Sequence, residues 1–244
     1  MKYELYEVGG RVRDKFLGIP SKDVDYSVVI DSPETNVMKV FSDFLQQLRD
    51  DGYTIHVDYP ETLTVKAKFP KGHKHQGLDA DFVVCRNEIG YIKGTRKPNV
   101  ILGTLLEDLL RRDFTVNAMA EAIDGTIVDP FNGERDLLWR VLRTPSDTSA
   151  SFNDDPLRIL RAFRFAVTKG LNFSDDIVNA IKLFQADKMN TVSTERVRNE
   201  LEKMLKHDTS LSWRYLRWLE DMNPKLFYNL FRDDLWLMPS LSKK

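Results

Sequence analysis

The stretch Tyr3-Glu4-Leu5-Tyr6-Glu7-Val8-Gly9-Gly10-Arg11-Val12-Arg13-Asp14, continued by Asp23-Val24-Asp25, decides how the rest of the chain is read. A loosely alternating strand signal runs into a glycine pair, a short amphipathic segment follows, and two aspartates then stand one residue apart. On an extended strand side chains alternate faces, so Asp23 and Asp25 share one face while Val24 turns to the core. Two carboxylates so close repel each other unless divalent cations sit between them, an arrangement that polarises a phosphoryl oxygen and activates a hydroxyl. A lone Asp-x-Asp is read as readily as a solvated acidic loop, and the glycine pair ahead of it shifts that balance. Gly9 and Gly10 let backbone approach a ligand closely, the helix start supplies N–H donors, and Arg13 adds a fixed positive charge, so a phosphate chain fits there. By itself a glycine pair also marks many ordinary turns.

The chain has 244 residues and a formal net charge of -1, long enough for a sizeable core and for two domains. It holds no long uncharged apolar run, so no transmembrane helix and no membrane partner are expected, and Met1-Lys2-Tyr3-Glu4 is unlike a signal peptide. A single cysteine, Cys85, makes no internal disulfide, and a cytoplasmic setting is the simplest expectation. Acidic residues are in excess before Val141 and basic ones after it, an asymmetry too small to argue nucleic-acid binding.

Strands are expected around Tyr3–Val8, Asp25–Ile30, Thr62–Lys68 and Leu78–Cys85, with a helix over Thr35–Arg49. After Val141 the apolar spacing is almost wholly helical, with Ser174 and Ser193 or Thr194 as N-caps, and Thr144-Pro145-Ser146 interrupts the pattern where a domain boundary is expected. Trp213, Tyr215, Trp218, Phe227, Tyr228, Phe231 and Trp236 read first as core packing of a small helical subdomain and second as a stacking surface for RNA bases. His73-Lys74-His75 has no second His or Cys cluster near it in sequence and is expected to be a flexible loop rather than a metal site.

Three further segments carry candidate chemistry. Leu78-Asp79-Ala80-Asp81-Phe82-Val83-Val84-Cys85-Arg86 offers Asp79 and Asp81 on one strand face, either a third metal-site carboxylate or a charged edge. In Arg111-Arg112-Asp113-Phe114-Thr115-Val116-Asn117-Ala118-Met119-Ala120 the arginines could neutralise a polyphosphate, and Asn117, one helical turn past Asp113, could reach a ribose hydroxyl. This segment and the following Asp129-Pro130-Phe131-Asn132-Gly133 are equally a surface ion pair and a tight turn. In the helix expected over Asp154–Phe165, Asp155 and Arg158 are adjacent on one face, while Pro156 in the first turn also suits Asp154 or Asp155 to capping. A carboxylate accepts from an exocyclic amino group, and a guanidinium donates to the ring nitrogen beside it. Cytosine and adenine share that edge, so the pair would admit CTP and ATP and reject UTP and GTP.

Taken in order, these motifs, with Glu195-Arg196-Val197-Arg198-Asn199-Glu200 after them, resemble those of the class II tRNA nucleotidyltransferases. That family comprises the CCA-adding enzymes and their bacterial poly(A) polymerase relatives, within the polymerase-β-like nucleotidyltransferase superfamily. The resemblance implies an α+β nucleotidyltransferase head with a mixed β-sheet and helices over residues 1–140, an all-helical neck over 141–206, and a truncated helical body over 207–244 without a tail. It implies that Asp23 and Asp25 are metal ligands, with Asp81 as the third catalytic acid and Asp79 the weaker candidate. Gly10, Arg13 and Arg112 match nucleotide-contacting positions, the Gly9–Gly10 turn being the cradle. Asp113 and Asn117 match the ribose-recognition motif, and Asp155, Arg158, Arg161 and Arg164 the neck helix that reads base and phosphates.

The activity implied is template-independent transfer of CMP and AMP from CTP and ATP to the 3′-hydroxyl at the tRNA 3′ end, with release of pyrophosphate and two Mg2+ ions as cofactor. A-adding, CC-adding or poly(A)-adding enzymes are the alternatives, and a catalytically inactive nucleotide- or RNA-binding protein is the alternative of another class. Asp154 stands where the family usually has Glu, one methylene longer. The loop between Arg86 and Val100, with Glu88, Tyr91, Arg96, Lys97 and Pro98, has the full length that goes with adding A, and the Arg-Arg-Phe element of the bacterial poly(A) polymerases is absent. Without the tail that grips the tRNA elbow, a homodimer in which the second subunit holds the RNA is a further expectation.

Overall fold

The computed structural model describes residues 2–21, 24–91, 98–232, 235 and 237. Asp23, Arg96, Lys97 and Trp236 lie outside the described residues. The chain divides into two compact units, Met1–Glu134 and Arg135–Lys244.

In the first unit the order is β1 (Lys2–Val8), α1 (Gly10–Phe16), β2 (Asp25–Asp31), α2 (Val37–Asp50), β3 (Thr54–Tyr59), β4 (Thr64–Lys68) and β5 (Asp79–Val84). There follow β6 (Arg86–Tyr91), β7 (Pro98–Leu102), α3 (Leu105–Leu110), β8 (Ala120–Ala122), β9 (Ile127–Val128) and α4 (Gly133–Leu138), within which the division between the units falls. Seven strands form one sheet in the order β3-β4-β5-β2-β1-β8-β9. Only β2 and β5 run parallel in it, so the sheet is mixed, as expected.

Period-two alternation fixes the faces of this sheet. Tyr26, Val28 and Ile30 of β2 and Ala80, Phe82 and Val84 of β5 are buried in one core, where Tyr26 stacks on Phe82 at a centroid distance of 5.2 Å. Helix α2 joins that core with Val40, Phe41, Phe44 and Leu48 at helical spacing, and Asn36 caps it by accepting the Met38 and Lys39 amides at 3.1 and 3.2 Å. Asp25 and Ser27 therefore point to the opposite face. There a smaller cluster of Val8, Leu109, Ala118 and Ala120 holds α3 near β1 and β8.

The second unit comprises β10 (Val141–Leu142), α5 (Thr148–Asp154), α6 (Leu157–Lys169), β11 (Asn172–Phe173), α7 (Asp175–Leu183), α8 (Thr194–His207), α9 (Thr209–Met222) and α10 (Pro224–Leu230). It is helical as expected, apart from a two-residue parallel ladder in which Val141 and Leu142 pair with Asn172 and Phe173. Ser193, Asp208 and Asn223 cap α8, α9 and α10 through their side chains, whereas Ser174 precedes α7 without accepting a capping bond. The helix expected over Asp154–Phe165 is instead two helices. Asp155 is extended (φ -137, ψ 95), because a residue before proline is pushed out of the helical region.

The aromatic C-terminus is core only in part. Phe173 stacks on Trp218 at 5.2 Å, with Phe163 and Tyr215 beside them, while Trp213 is 47% and Tyr228 64% exposed. Among the described residues no helix is long and apolar enough to cross a membrane.

Candidate active site

The turn between β1 and α1 rests on Gly9, whose φ of 72 and ψ of -131 suit glycine far better than any residue with a Cβ. A Cβ there would stand 3.1 Å from Arg112 Nη1 and 4.0 Å from Asp25 Oδ2. A close-approach turn, a guanidinium and a carboxylate thus meet at one point. The parallel β2–β5 register places Asp25 directly across from Asp81, on strands about 4.8 Å apart. Asp79 lies two residues further along the same face, opposite Lys68 and bonded to His56 Nε2 at 2.8 Å. Asp25, Asp79, Asp81 and Lys66 line an open depression of about 530 Å3. Lys66, the β4 partner of Asp81, had no signal in the sequence beyond its place in a strand. Among the described residues no group of three or more His, Cys, Asp or Glu converges closely enough to hold a metal ion. The donor type nevertheless fits, since paired carboxylate oxygens are what a hard divalent cation such as Mg2+ takes.

Arg112 is held by a residue the sequence reading missed. Asp108, on α3 one turn before Arg112, is fully buried and accepts from Arg112 Nη2 at 3.0 Å, from Ser27 Oγ at 2.6 Å and from Arg111. Arg112 Nη2 also donates to Ser27 Oγ at 3.1 Å. Burial raises the pKa of the Asp108 carboxyl, but the charges of Arg112 and Arg111 and the Ser27 bond outweigh it and hold the group below its ordinary range. The available signal was the i,i+4 spacing of Asp108 and Arg112, which also fits a surface pair. A capping box fixes the start of α3: Glu107 N–H donates to Thr104 Oγ1 at 3.3 Å and Thr104 N–H to Glu107 Oε2 at 2.7 Å.

Arg13, Asp14, Asp113 and Asn117 form a second buried network. Arg13 donates from Nη1 to Asn117 Oδ1 at 2.5 Å and from Nε to Asp14 Oδ1 at 2.8 Å, and Asn117 Nδ2 donates to Asp113 Oδ1 at 2.9 Å. Asn117 closes a 3-10 turn, Thr115–Asn117, rather than an α-helical one, and both ends of its amide are engaged by protein. The Asp129–Gly133 segment is the turn that anchors this network. Asp129 accepts the Gly133 and Glu134 amides at 2.7 and 2.9 Å, and a Cβ on Gly133 would fall 2.3 Å from the Thr115 carbonyl oxygen.

In the second unit Asp155 follows α5, its Oδ1 accepts the Leu157 amide at the start of α6 at 3.3 Å, and its other oxygen takes Arg196 Nη2 at 3.0 Å. Arg158 donates to Ser151 Oγ at 2.6 Å. Arg164 pairs with the buried Glu200, which also lies 3.9 Å from Arg161, and the Arg164 guanidinium sits 4.2 Å from the Phe165 ring centroid. Arg196 and Glu200, one turn apart on α8, thus hold Asp155 and the Arg161 and Arg164 of α6 respectively. Their motif, Glu195–Glu200, assigns neither a role from residue type alone.

Residues 5–143 match the family model described as the Poly A polymerase head domain, which gives the class of the first unit. The chain is 34% identical over 245 residues to the multifunctional CCA protein of Pseudoalteromonas atlantica, covering 98% of this chain and 54% of that one. Its fold is similar to that of the Bacillus stearothermophilus CCA-adding enzyme in complex with CTP, with a TM-score of 0.72 and 29% identity over 92% of this chain and 50% of that one. It is also similar to the Thermotoga maritima CCA-adding enzyme complexed with tRNA, at a TM-score of 0.66 and 28% identity over 97% and 50%. The chain belongs to the class II tRNA nucleotidyltransferase family, as its motif order led us to expect. It spans about half the length of the relatives it matches.

Proposed function

We propose that this chain is a CCA-adding nucleotidyltransferase, transferring CMP and AMP from CTP and ATP to the 3′-hydroxyl of tRNA and releasing pyrophosphate in the cytoplasm. The observation that carries this reading is the convergence of the Gly9 turn, Arg112 and Asp25, with Asp81 beside Asp25 in strand register. Asp23, Asp25 and Asp81 would hold two Mg2+ ions, which when bound polarise the phosphoryl group and acidify the attacking hydroxyl. The Gly9–Gly10 backbone approaches the triphosphate, and Arg13 and Arg112 offset its charge. The Asp113–Asn117 segment positions the ribose. Asp155 and Arg158 select cytosine and adenine by their shared amino-and-acceptor edge, with Arg161 and Arg164 adding positive charge toward the phosphates. Positioning and charge suffice for in-line displacement, so no covalent intermediate is required.

The deciding experiment supplies tRNA lacking CCA, lacking only the final A, and intact, each with CTP, ATP or both. Incorporation of C and then A into the first substrate, and of A alone into the second, is the expected result. Addition of only A, only CC or long A tracts would replace the proposal by the matching alternative, and binding without incorporation would leave a nucleotide- or RNA-binding protein. Asp25→Ala should abolish transfer with the thermal transition retained, and substantial residual turnover would overturn the metal-site assignment. Arg158→Ala should loosen discrimination against UTP.

A further inference from the structure

The His73–His75 segment, expected to be a flexible loop, is instead anchored. His73 stacks on Phe69 at 4.4 Å, and His75 Nε2 bonds Glu7 Oε1 at 2.8 Å. Glu7, 8% exposed near the end of β1, is the hub of a cluster. It also accepts from Lys74 Nζ at 2.9 Å, Arg11 Nε at 2.9 Å and the Tyr26 hydroxyl at 3.0 Å. Lys15, one turn after Arg11 on α1, pairs with Glu121 at 2.6 Å. These six residues, Glu7, Arg11, Lys15, Lys74, His75 and Glu121, line one open pocket of about 290 Å3.

Three permanent cations face two carboxylates in this pocket, and both carboxylates are already engaged. Arg11 reaches Glu7 through Nε. The buried Glu7 gathers cations whose sum exceeds its own charge, so the pocket carries a net positive field. Glu7 is the register partner of Tyr26 and lies on that face of the sheet, whereas Asp25 lies on the other. A nucleoside triphosphate seated against Asp25 and Arg112 would therefore not fill the pocket. Glu7 is two residues before Gly9 at the end of β1, so a ligand that contacts both the pocket and the Gly9 turn must extend past that strand end, which fits a polymer with phosphates at intervals better than a single nucleotide.

We propose that Arg11, Lys15 and Lys74 form a binding site for a backbone phosphate of the RNA substrate, built on the buried Glu7. The inference rests on the reading above that the chain acts on tRNA, and nothing in the Glu7 cluster takes part in transfer itself. Phosphate contacts of this kind position an RNA without reading its sequence.

The test measures affinity of the full chain for tRNA lacking CCA as a function of salt, and affinity for CTP separately. Arg11→Ala with Lys74→Ala should weaken tRNA binding on the order of tenfold at low salt and lower the log–log salt slope by about 1 for each cation lost. CTP affinity should stay within about twofold of wild type. Because this pair removes partners of a buried carboxylate, Lys15→Glu serves as a second variant. It places a negative charge in the pocket without touching Glu7 and should weaken tRNA binding in the same direction. Unchanged tRNA affinity and slope in Lys15→Glu overturns the proposal, as does a loss confined to CTP. Wild-type protein that binds CTP but no tRNA also overturns it. Wild type that takes up neither CTP nor tRNA instead removes the functional reading on which the proposal stands.

Discussion

Asp108→Asn is the most informative single change in the first unit. The carboxylate is fully buried and takes bonds from Ser27 at 2.6 Å, Arg112 at 3.0 Å and Arg111. Asparagine keeps one accepting oxygen and turns an NH2 donor toward a guanidinium. Breaking a wholly buried ion pair costs about 3–5 kcal/mol. Here the Arg111 side chain is 41% exposed and rehydrates readily, whereas that of Arg112 is only 21% exposed. The loss should accordingly lie near 2–4 kcal/mol.

The pH dependence has a definite sign. A carboxyl whose folded pKa is depressed contributes stability above its unfolded pKa and loses it as pH falls through the folded value. The gap between wild type and Asp108→Asn in urea unfolding should therefore be widest near neutral pH and narrow through the acid carboxylate range. CTP affinity should fall as well, because Arg112 loses the support that aims it at the Gly9 turn. In a double-mutant cycle with Arg112→Gln the two losses of CTP affinity should be strongly non-additive. A stability change under about 0.5 kcal/mol, or additive losses in the cycle, would refute the claim that Asp108 positions Arg112.

Glu7 gives a second pH test. Burial raises the pKa of its carboxyl, but bonds from His75, Lys74 and Tyr26 bring it down from 4.5 to about 2, so its contribution is complete above the ordinary carboxylate range and is lost as pH falls from 4.5 toward 2. Glu7→Gln should flatten that limb of the stability profile, measured by urea midpoints across acid pH. Gly9→Ala should cost about 1–3 kcal/mol from the backbone alone and weaken CTP binding by displacing Arg112. Gly18→Ala, at φ +66 with open space around it, should be destabilised without a CTP effect, and equal CTP losses in the two would refute the close-approach role of Gly9. Gly133→Ala forces a Cβ against the Thr115 carbonyl and should cost about 3 kcal/mol or fail to fold, read as soluble yield and urea midpoint; a wild-type midpoint would contradict the packing of that turn on the Asn117 segment.

Much of the fold was legible because burial on one face leaves a period in the sequence. β1, β2, β4, β5 and α2 each carry such a period and fall within a few residues of their expected bounds. β3 was not expected, and its physical reason is plain. It is an edge strand with mostly exposed side chains, and a bulge between Ile55 and Val57 breaks its alternation. β6 and β7 were read as a loop, since a hairpin outside the main sheet has little apolar patterning to show. Pro156 in a first turn already offered Asp154 or Asp155 as the residue that opens α6, but the short helix α5 that ends at Asp154 was not expected, and the proline effect falls on Asp155 between the two.

The site was legible in a different way. Residue types and spacing offered Gly9, Asp25, Arg112 and both Asp79 and Asp81 as candidates, and the family resemblance favoured Asp81; that Asp81 pairs with Asp25 is a matter of register, a property of strand pairing that residue type does not carry. Asp108, Ser27 and Glu200 could not be found from type alone, since a buried ion pair and an exposed one look identical in sequence. Their burial changes what they do. An arginine on a solvated helix samples many rotamers, while Arg112 is tied through Nη2 to a fully buried carboxylate and a buried serine and through Nη1 to the Asn117 carbonyl at 3.5 Å, which holds the guanidinium beside Gly9. The same logic separates Arg164, fixed by Glu200, from an ordinary surface cation. In each unit, then, an arginine assigned to the nucleotide, Arg112 in the first and Arg164 in the second, is supported by a buried acid distinct from the carboxylates assigned to metal. Substitutions of the supporting acids should weaken nucleotide affinity while leaving the metal carboxylates intact.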